Sequence, residues 1–359
     1  MTVKKIKQAL SHVIDPDLGK DLVTLNMIDS IVIEGNKVSF RLILTTPACP
    51  LKDHLRNACI DEIHRHVSQD VEVEIELTSQ VTTRRKEAEA VLKDVKNIIA
   101  VGSGKGGVGK STVAVNLAVA LARAGAKVGL IDADIYGPSI PMMFGLVDER
   151  SLGIEHDGKM FVIPIEKYGI KLLSIGFFVD QTKALVWRGP MASQALRQLF
   201  TDGEWGALDY MVVDLPPGTG DIPLTLVQDF PLTGAIVVTT PQQVAIADVR
   251  KAADMFRNDR INIPMLGVVE NMSYFIPPDA PDKKYHIFGQ GGTEQFAAEM
   301  NVPVLAQIPF VMDVAASGDS GSPIAARDNS PVADAYRRLA EHVAQQVAIS
   351  NVIREAMGR

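Results

Sequence analysis

The sequence has 359 residues, 47% of them hydrophobic and 22% charged, and a formal net charge of −7. This composition excludes a disordered chain, and the length suffices for two domains. The acidic balance gives no general attraction to nucleic acid or to anionic membranes. Neither a signal peptide nor a run of ~20 apolar residues that could span a membrane is expected. Two cysteines cannot form a disulfide framework, so a cytoplasmic location is expected.

The first 80 residues predict a small α+β domain. Apolar residues recur at helical spacing in two stretches, and strands are predicted over Ser30–Ile33 and Lys37–Leu44. Apolar residues alternate strictly with glutamates over Val71–Leu77, which predicts a half-buried strand. The next residues, 81–96, are charged and lack a clear apolar face, so they are interpreted as a linker.

Residues 97–359 follow a different pattern, in which short apolar runs alternate with helical stretches. Runs without polar alternation are typical of parallel strands that are buried on both faces. The predicted strands are Ile98–Val101, Val128–Ile131, Met211–Val213, Ala235–Val238, Met265–Val269 and Val302–Ile308. A last helix is predicted to begin at Ser330 and Pro331. The pattern predicts the α/β class, with a doubly wound, mainly parallel sheet preceded by the small α+β domain.

A phosphate-binding loop is the clearest motif of the chain. The run from Gly104 to Ser111 matches G-x-x-x-x-G-K-[S/T], and it lies between a predicted strand and a predicted helix. Its glycines let backbone N–H groups converge on phosphate oxygens, and the helix dipole favours an anion there. Lys110 is expected to contact the β- and γ-phosphates and Ser111 to bind Mg²⁺. The predicted nucleotide-binding residues are Gly104, Lys105, Gly106, Gly107, Val108, Gly109, Lys110, Ser111 and Thr112.

The lysine directly after Gly104 makes the loop resemble that of the deviant Walker A ATPases, a group that includes MinD and ParA. The resemblance implies that Lys105 reaches the phosphates of the partner subunit in a homodimer that hydrolyses ATP slowly with Mg²⁺. It also implies that Asp134 positions the attacking water and that Asp214 holds Mg²⁺. Asp132 and Asp134 end the second predicted strand and Asp214 ends the third, where parallel sheets place their sites.

Six further motifs narrow the resemblance to the Mrp/ApbC family of iron–sulfur cluster carrier ATPases. They are DADIYGPS, VWRGPM (Val186–Met191), DLPPGTGD (Asp214–Asp221), TTPQ (Thr239–Gln242), GVVENMS (Gly267–Ser273) and IFGQGG (Ile287–Gly292). Members deliver clusters to apoproteins, so the resemblance implies ATP, Mg²⁺ and a cluster as ligands, and apo iron–sulfur clients as partners. By analogy with related ATPases, Asn271 is expected to contact adenine.

The N-terminal residues resemble the small domain found in SufT-like iron–sulfur assembly factors, on the motifs VIDPDLGKDLVTLNMI and TTPACP. Cys49 precedes Pro50 at a predicted helix start, where the helix dipole favours a thiolate, and it is the candidate cluster ligand. A small half-buried residue is the alternative interpretation of Cys49. Cys59 falls in the middle of the predicted helix, roughly 15 Å away.

The chain departs from the Mrp/ApbC pattern in one place. Many members carry C-x-x-C shortly after NMS, and these cysteines bind a cluster that bridges the dimer. Here the segment from Asn271 to Gly289 contains no cysteine. Because thiolates are the usual ligands of such clusters, any cluster is expected to depend on the N-terminal domain.

Two functions therefore stay open at the level of the sequence. The first is an ATP-hydrolysing homodimer that works in iron–sulfur cluster assembly or delivery. The second is a MinD/ParA-like positioning or regulatory ATPase that holds no cluster. The C-terminal residues carry only two cations, Arg354 and Arg359, which does not suit binding to anionic lipid. The complete set of motifs favours the first function.

Overall fold

The computed structural model of the protein describes residues 1–83, 92–156, 158–178, 189–277, 279–280 and 282–356. The chain divides into two compact units. Unit 1 consists of Met1–Arg84 together with Ala344–Arg359, and unit 2 consists of Arg85–Val343.

Unit 1 is an α+β structure in which two helices cover one face of a small sheet. Its elements before residue 84 are α1 (Val3–Leu10), β1 (Ile14–Asp15), β2 (Lys20–Asp21), β3 (Ile28–Glu34), β4 (Lys37–Leu44), α2 (Lys52–His66) and β5 (Glu72–Ser79). The strand order of the sheet is β3-β4-β5, with β4 antiparallel to β3 and parallel to β5. Alternate side chains of β4, such as Phe40 and Leu42, are buried in the core with Leu55 of α2.

Unit 2 alternates strands and helices along most of its length. Its elements are β6 (Val95–Ser103), α3 (Lys110–Arg123), β7 (Val128–Asp132), α4 (Ile140–Met143), β8 (Gly153–His156), β9 (Lys159–Val162), β10 (Ile165–Lys167), β11 (Ile170–Ser174), α5 (Gly189–Thr201), β12 (Leu208–Asp214), α6 (Asp221–Asp229), β13 (Gly234–Thr239), α7 (Gln243–Arg257), β14 (Met265–Glu270), α8 (Gly292–Met300), β15 (Val304–Gln307), α9 (Met312–Asp319) and α10 (Pro331–Ala356). The last of these helices extends into the residues assigned to unit 1.

One sheet of eight strands forms the centre of unit 2 within the described residues. Its order is β10-β11-β7-β12-β6-β13-β14-β15, and all neighbours are parallel except β10 and β11. The central strands are apolar and buried on both faces, as the absence of alternation in their sequences indicates. The predicted doubly wound, mainly parallel sheet is confirmed.

The carboxyl ends of the central strands meet at one edge of this sheet. Asp132 of β7 is in register with Asp214 of β12 on one side and with Ser174 of β11 on the other. The loop after β6 and the turn after β14 open at the same edge. Side chains that are far apart in the sequence are brought together there, which is where open α/β sheets place their ligands.

Short strands β8, β9 and β10 were not predicted, and two further segments differ from the sequence-based expectations. Of the linker predicted over residues 81–96, residues 84–91 lie outside the described residues, and Val95 and Lys96 already belong to β6. The second, β11, is a parallel strand that the apolar pattern did not predict, because Lys171 interrupts its apolar run. No helix in the described part of the chain is long and apolar enough to cross a membrane.

Candidate functional site

The loop between β6 and α3 has the backbone conformation of a phosphate cradle. Gly107 and Gly109 have φ of 83° and 80°, values in the left-handed region that glycine adopts without strain. Gly104 needs to be glycine for another reason, because a Cβ atom there would lie 2.2 Å from the backbone of Asp248 in α7. The loop therefore rests directly on α7, and its last glycine is the N-cap of α3.

Lys110 and Ser111, the first residues of α3, face the end of β12. Lys110 Nζ donates to Asp214 Oδ1 over 2.7 Å, and Ser111 Oγ donates to Asp214 Oδ2 over 2.5 Å. Asp214 is fully buried, and Lys110 is only 6% exposed. Ser111 and Asp214 supply the hard oxygen ligands that Mg²⁺ prefers, while Lys110 supplies a desolvated cation for a phosphate. The three predicted residues thus lie within hydrogen-bonding distance of one another.

Asp134 and Asp132 complete the charged cluster. Asp134 Oδ2 lies 3.7 Å from Lys110 Nζ, and burial raises the pKa of Asp134 while the charge of Lys110 opposes the rise. Burial, assisted by the charge of Asp214, raises the pKa of Asp132 to about 8. Asp132 accepts a hydrogen bond from Ser174 Oγ over 2.8 Å and one from the Asp134 backbone N–H. Asp132 therefore holds the loop that carries Asp134, and Asp134 is the more accessible carboxylate.

Lys105 differs from Lys110 in its surroundings. It is half-buried, and no ion pair or hydrogen bond of its ammonium group forms with the described residues. Its backbone carbonyl accepts a hydrogen bond from Ser103 Oγ over 3.0 Å, which fixes the loop but leaves the side chain unengaged. The action of Lys105 on the phosphates of a partner subunit stays a prediction.

A cavity of about 250 Å³ opens beside the loop. Its apolar wall includes Met142, Met272 and Phe310, and its polar side includes Thr112 and Asn271. A mainly apolar cleft with a few polar groups is typical of small-molecule sites. Asn271 Nδ2 donates to the Val108 carbonyl over 2.9 Å, so the residue predicted to contact adenine also supports the loop. The adenine contact itself stays a prediction.

The remaining motifs meet around the same edge of the sheet. Gly292 in IFGQGG approaches TTPQ so closely that a Cβ atom would lie 2.9 Å from the Pro241 carbonyl. In DLPPGTGD, the Gly218 N–H donates to the Ser103 carbonyl just before the phosphate loop. The motif Val186–Met191 cannot be placed in the same way, because residues 186–188 lie outside the described part of the chain.

Cys49 has a different thiol chemistry from the one expected at a helix start. The first helical residue after it is Lys52, and the N-cap position is taken by Leu51. Burial raises the pKa of the Cys49 thiol, outweighing a hydrogen bond from the Leu51 N–H, and the charges of Asp15 and Asp17 raise it further. The expectation of a dipole-stabilised thiolate is therefore wrong. Cys59 is fully buried, and burial raises its pKa to about 12.

No group of three or more His, Cys, Asp and Glu side chains that could hold a metal ion is found among the described residues. The segment that lacks C-x-x-C folds back on itself, with Phe275 and Tyr285 exchanging backbone hydrogen bonds of 2.8 and 2.9 Å. Cys49, a residue of unit 1, stays the predicted cluster ligand.

We expect the two thiols to differ in reactivity. Cys49 should be alkylated slowly by iodoacetamide at pH 7 and faster as the pH rises, because its raised pKa keeps the thiolate fraction small. Cys59 should stay unmodified at the same pH values until the protein is unfolded, since its side chain is buried in the core. Peptide mass spectrometry after timed labelling measures both rates. Fast labelling of Cys49 at pH 6 would contradict its raised pKa.

Three features of the candidate site were not predicted from the sequence. Ser174 and Glu270 support residues of the site. Ser174 ends a strand that shows no motif of its own, and Glu270 lies in GVVENMS, where no role was predicted for it. The cavity wall contributed by Phe310 lies in a third segment, about 200 residues after the phosphate loop. The spacing of Glu270 and Ser273 within one motif was the only signal that could have indicated a contact between them.

The chain is similar to several known proteins. Residues 94–344 match the family described as "NUBPL iron-transfer P-loop NTPase", and residues 4–77 match the "Iron-sulfur cluster assembly protein" family. The "Iron-sulfur cluster carrier protein" of Synechocystis is 44% identical over 356 residues, covering 98% of this chain and 100% of the relative. The protein of that name from Deinococcus radiodurans is 46% identical, with 95% of each chain covered.

Among solved structures, a nucleotide-binding protein from Archaeoglobus fulgidus in complex with ADP is similar to this chain. Its sequence is 37% identical, and the TM-score is 0.57. The match covers 67% of this chain and 91% of that one.

Proposed function

The chain belongs to the NUBPL iron-transfer P-loop NTPase family, and we propose that it is an ATP-hydrolysing carrier or assembly factor for iron–sulfur clusters. The observation that carries this proposal is the buried contact of Lys110 and Ser111 with Asp214 beneath the phosphate loop. The MinD/ParA-like positioning function is not favoured, since the relatives reported above carry the name of cluster carriers.

The charged cluster supports Mg²⁺-dependent hydrolysis of ATP. The phosphate loop and Lys110 would bind the β- and γ-phosphates, and Ser111 with Asp214 would hold Mg²⁺, which neutralises the charge that develops on the transferred phosphoryl group. Asp134, which lies 3.7 Å from Lys110, would orient the attacking water. The purine would occupy the cavity that Met272 and Asn271 line.

The second half of the proposal is a homodimer. Lys105 has an ammonium group without a partner in the described residues, and it lies in the loop that faces the phosphates. A second copy of the chain would place that cation on the γ-phosphate of its neighbour, where it offsets charge in the transition state. The cargo would be an iron–sulfur cluster handed to apoprotein clients, with Cys49 of each copy as a thiolate ligand.

Substitution of Lys105 tests this proposal. Lys105→Ala should leave the affinity for ATP within about twofold and lower turnover about 10²-fold, as for the loss of one transition-state charge donor. Calorimetry with Mg-ATP and a phosphate-release assay measure the two quantities, and light scattering measures dimer formation with ATP.

The matched control is Lys127→Ala, since Lys127 is an exposed lysine directly before β7, at the opposite end of the sheet. Turnover should be unchanged in this variant. If Lys105→Ala also hydrolyses ATP at the rate of the unmodified protein, the proposed action of Lys105 in the partner's site is refuted.

A further inference from the structure

A strained turn carries Asn271 from the end of β14 to the phosphate loop. Met272, the next residue, has a φ of 54°, which is unfavourable for a side chain other than glycine or asparagine. The turn is bounded by backbone hydrogen bonds, from the Asn271 N–H to the Thr239 carbonyl and from the Ser273 N–H to the Ile308 carbonyl. Such a conformation persists only where its surroundings hold it.

Glu270 supplies the side-chain support of this turn. Its carboxyl group is buried, and Oε1 accepts hydrogen bonds from Ser273 Oγ and from Gln307 Nε2, the latter over 3.1 Å. Gln307 Nε2 also donates to Glu294 Oε1 over 2.7 Å, which ties the network to the first turn of α8. The other oxygen, Glu270 Oε2, is buried and has no hydrogen-bond partner in the described residues.

The hydrogen bond to Val108 determines which end of the Asn271 amide is available to a ligand, and the turn positions the residue that makes it. The Val108 carbonyl can only accept, so the amide nitrogen of Asn271 faces it and donates over 2.9 Å. The amide oxygen makes no hydrogen bond with the described residues, and Asn271 lines the cavity beside the loop. The cavity thus presents an acceptor, which pairs with an amino group and not with a carbonyl oxygen.

We propose that Glu270 is a positioning residue for base recognition. By holding the strained turn through Ser273 and Gln307, it keeps the Asn271 oxygen directed at the 6-amino group of adenine. This inference rests on the proposed nucleotide-binding function and adds to it a determinant of base selectivity. A 6-oxo purine presents an acceptor at the same position, so the two acceptors would face each other without a hydrogen bond.

The bonding of Glu270 gives a specific expectation for its variants. Both of its hydrogen bonds arrive at Oε1, and a glutamine carbonyl oxygen can accept both of them. Glu270→Gln should therefore retain base selectivity. Glu270→Ala leaves the Ser273 hydroxyl and the Gln307 amide without this acceptor, so the strained turn relaxes and selectivity falls.

The test compares the affinities for Mg-ATP and Mg-ITP, which differ at position 6 of the purine. Titration calorimetry of the full chain should show a preference for ATP of about tenfold, the size expected for one unpaired buried polar group. The preference should fall to about twofold or less in Glu270→Ala and stay at about tenfold in Glu270→Gln. Ser273→Ala provides a second variant with the same expected direction.

Thr233→Val is the matched control that distinguishes a general loss of stability from a specific loss of base selectivity. Thr233 is also buried, and its hydroxyl accepts from the Ile98 N–H over 3.0 Å at the amino end of the sheet, remote from the turn. This variant should lower the melting temperature and leave the ATP-to-ITP ratio unchanged.

The outcomes distinguish the inference from the function on which it rests. If the unmodified protein binds neither nucleotide, the proposed function fails. If it binds ATP but does not prefer it to ITP, or if the ratio persists in both Glu270→Ala and Ser273→Ala, the assignment of Glu270 is overturned. A ratio lost in these two variants and kept in Glu270→Gln supports it.

Discussion

Lys110→Ala is expected to lower ATP affinity by at least about 10²-fold and turnover by at least about 10³-fold, because it removes the cation that faces the β- and γ-phosphates. The structure makes the effect larger than the loss of one contact. Lys110 Nζ lies 2.7 Å from Asp214 and 3.7 Å from Asp134, so the variant leaves their charges without a neutralising partner beside the bound phosphates. Calorimetry with Mg-ATP and phosphate release measure the two losses.

A paired lysine elsewhere in the same unit provides the control. Lys96 lies at the start of β6 and is 2.8 Å from Asp209, at the end of the sheet opposite to the phosphate loop. Lys96→Ala should keep ATP affinity and turnover, and circular dichroism should show that both variants are folded. An ATP affinity of Lys110→Ala equal to that of the unmodified protein would disprove the assignment of the loop.

Cys49→Ser is expected to abolish reconstitution of an iron–sulfur cluster while leaving ATP binding unchanged. The chain has two cysteines, and the thiol of Cys59 is fully buried with a pKa raised to about 12, so only Cys49 can supply a thiolate. Because the pKa of Cys49 is itself raised, we expect the cluster to form more completely at pH 8.5 than at pH 7. Anaerobic reconstitution with iron and sulfide, read as absorbance and iron content, measures this.

The matched control for this experiment is Cys59→Ala, which removes the other thiol and should keep the full cluster content. Both variants should bind ATP as the unmodified protein does, since the phosphate loop belongs to unit 2 and both cysteines belong to unit 1. A cluster of normal content in Cys49→Ser would show that ligands other than this thiol hold the cargo.

In unit 2, the strands that the sequence predicted are those with mainly apolar runs, whereas Val71–Leu77 in unit 1 was predicted from apolar residues alternating with glutamates. The order of these strands in the sheet depends on pairings that no local pattern contains. One of the strands that were not predicted, β11, contains Lys171, and a lysine is more typical of a surface position. In the structure, Lys171 Nζ donates to the Trp205 carbonyl over 2.9 Å, so its charged end is satisfied beside a strand that is otherwise mostly buried. A contact between residues 34 positions apart cannot be inferred from the apolar pattern.

The properties of the candidate site also divide into those that the sequence predicted and those that depend on the folded structure. Lys110, Ser111 and Asp214 were predicted from motifs because nucleotide chemistry restricts both their types and their spacing. The pKa direction of Cys49 was not, since it depends on how deeply the thiol is buried and on two aspartates more than 30 residues away. Burial is a property of the folded chain, and a helix start in the sequence does not reveal it.

The phosphate loop has two different kinds of neighbour, because Gly104 approaches α7 closely. One side of the loop contacts backbone atoms, and the other contacts a side chain. On one side the neighbour is the backbone of Asp248 and Val249, which is the same whatever side chains α7 carries. On the other side, Gly109 faces the side chain of Asn271, whose amide nitrogen would lie 2.2 Å from an added Cβ atom. Substitutions at the exposed positions of α7 are therefore expected to leave the cradle unaltered. We expect a change of nucleotide preference to involve Asn271 and not the backbone of α7.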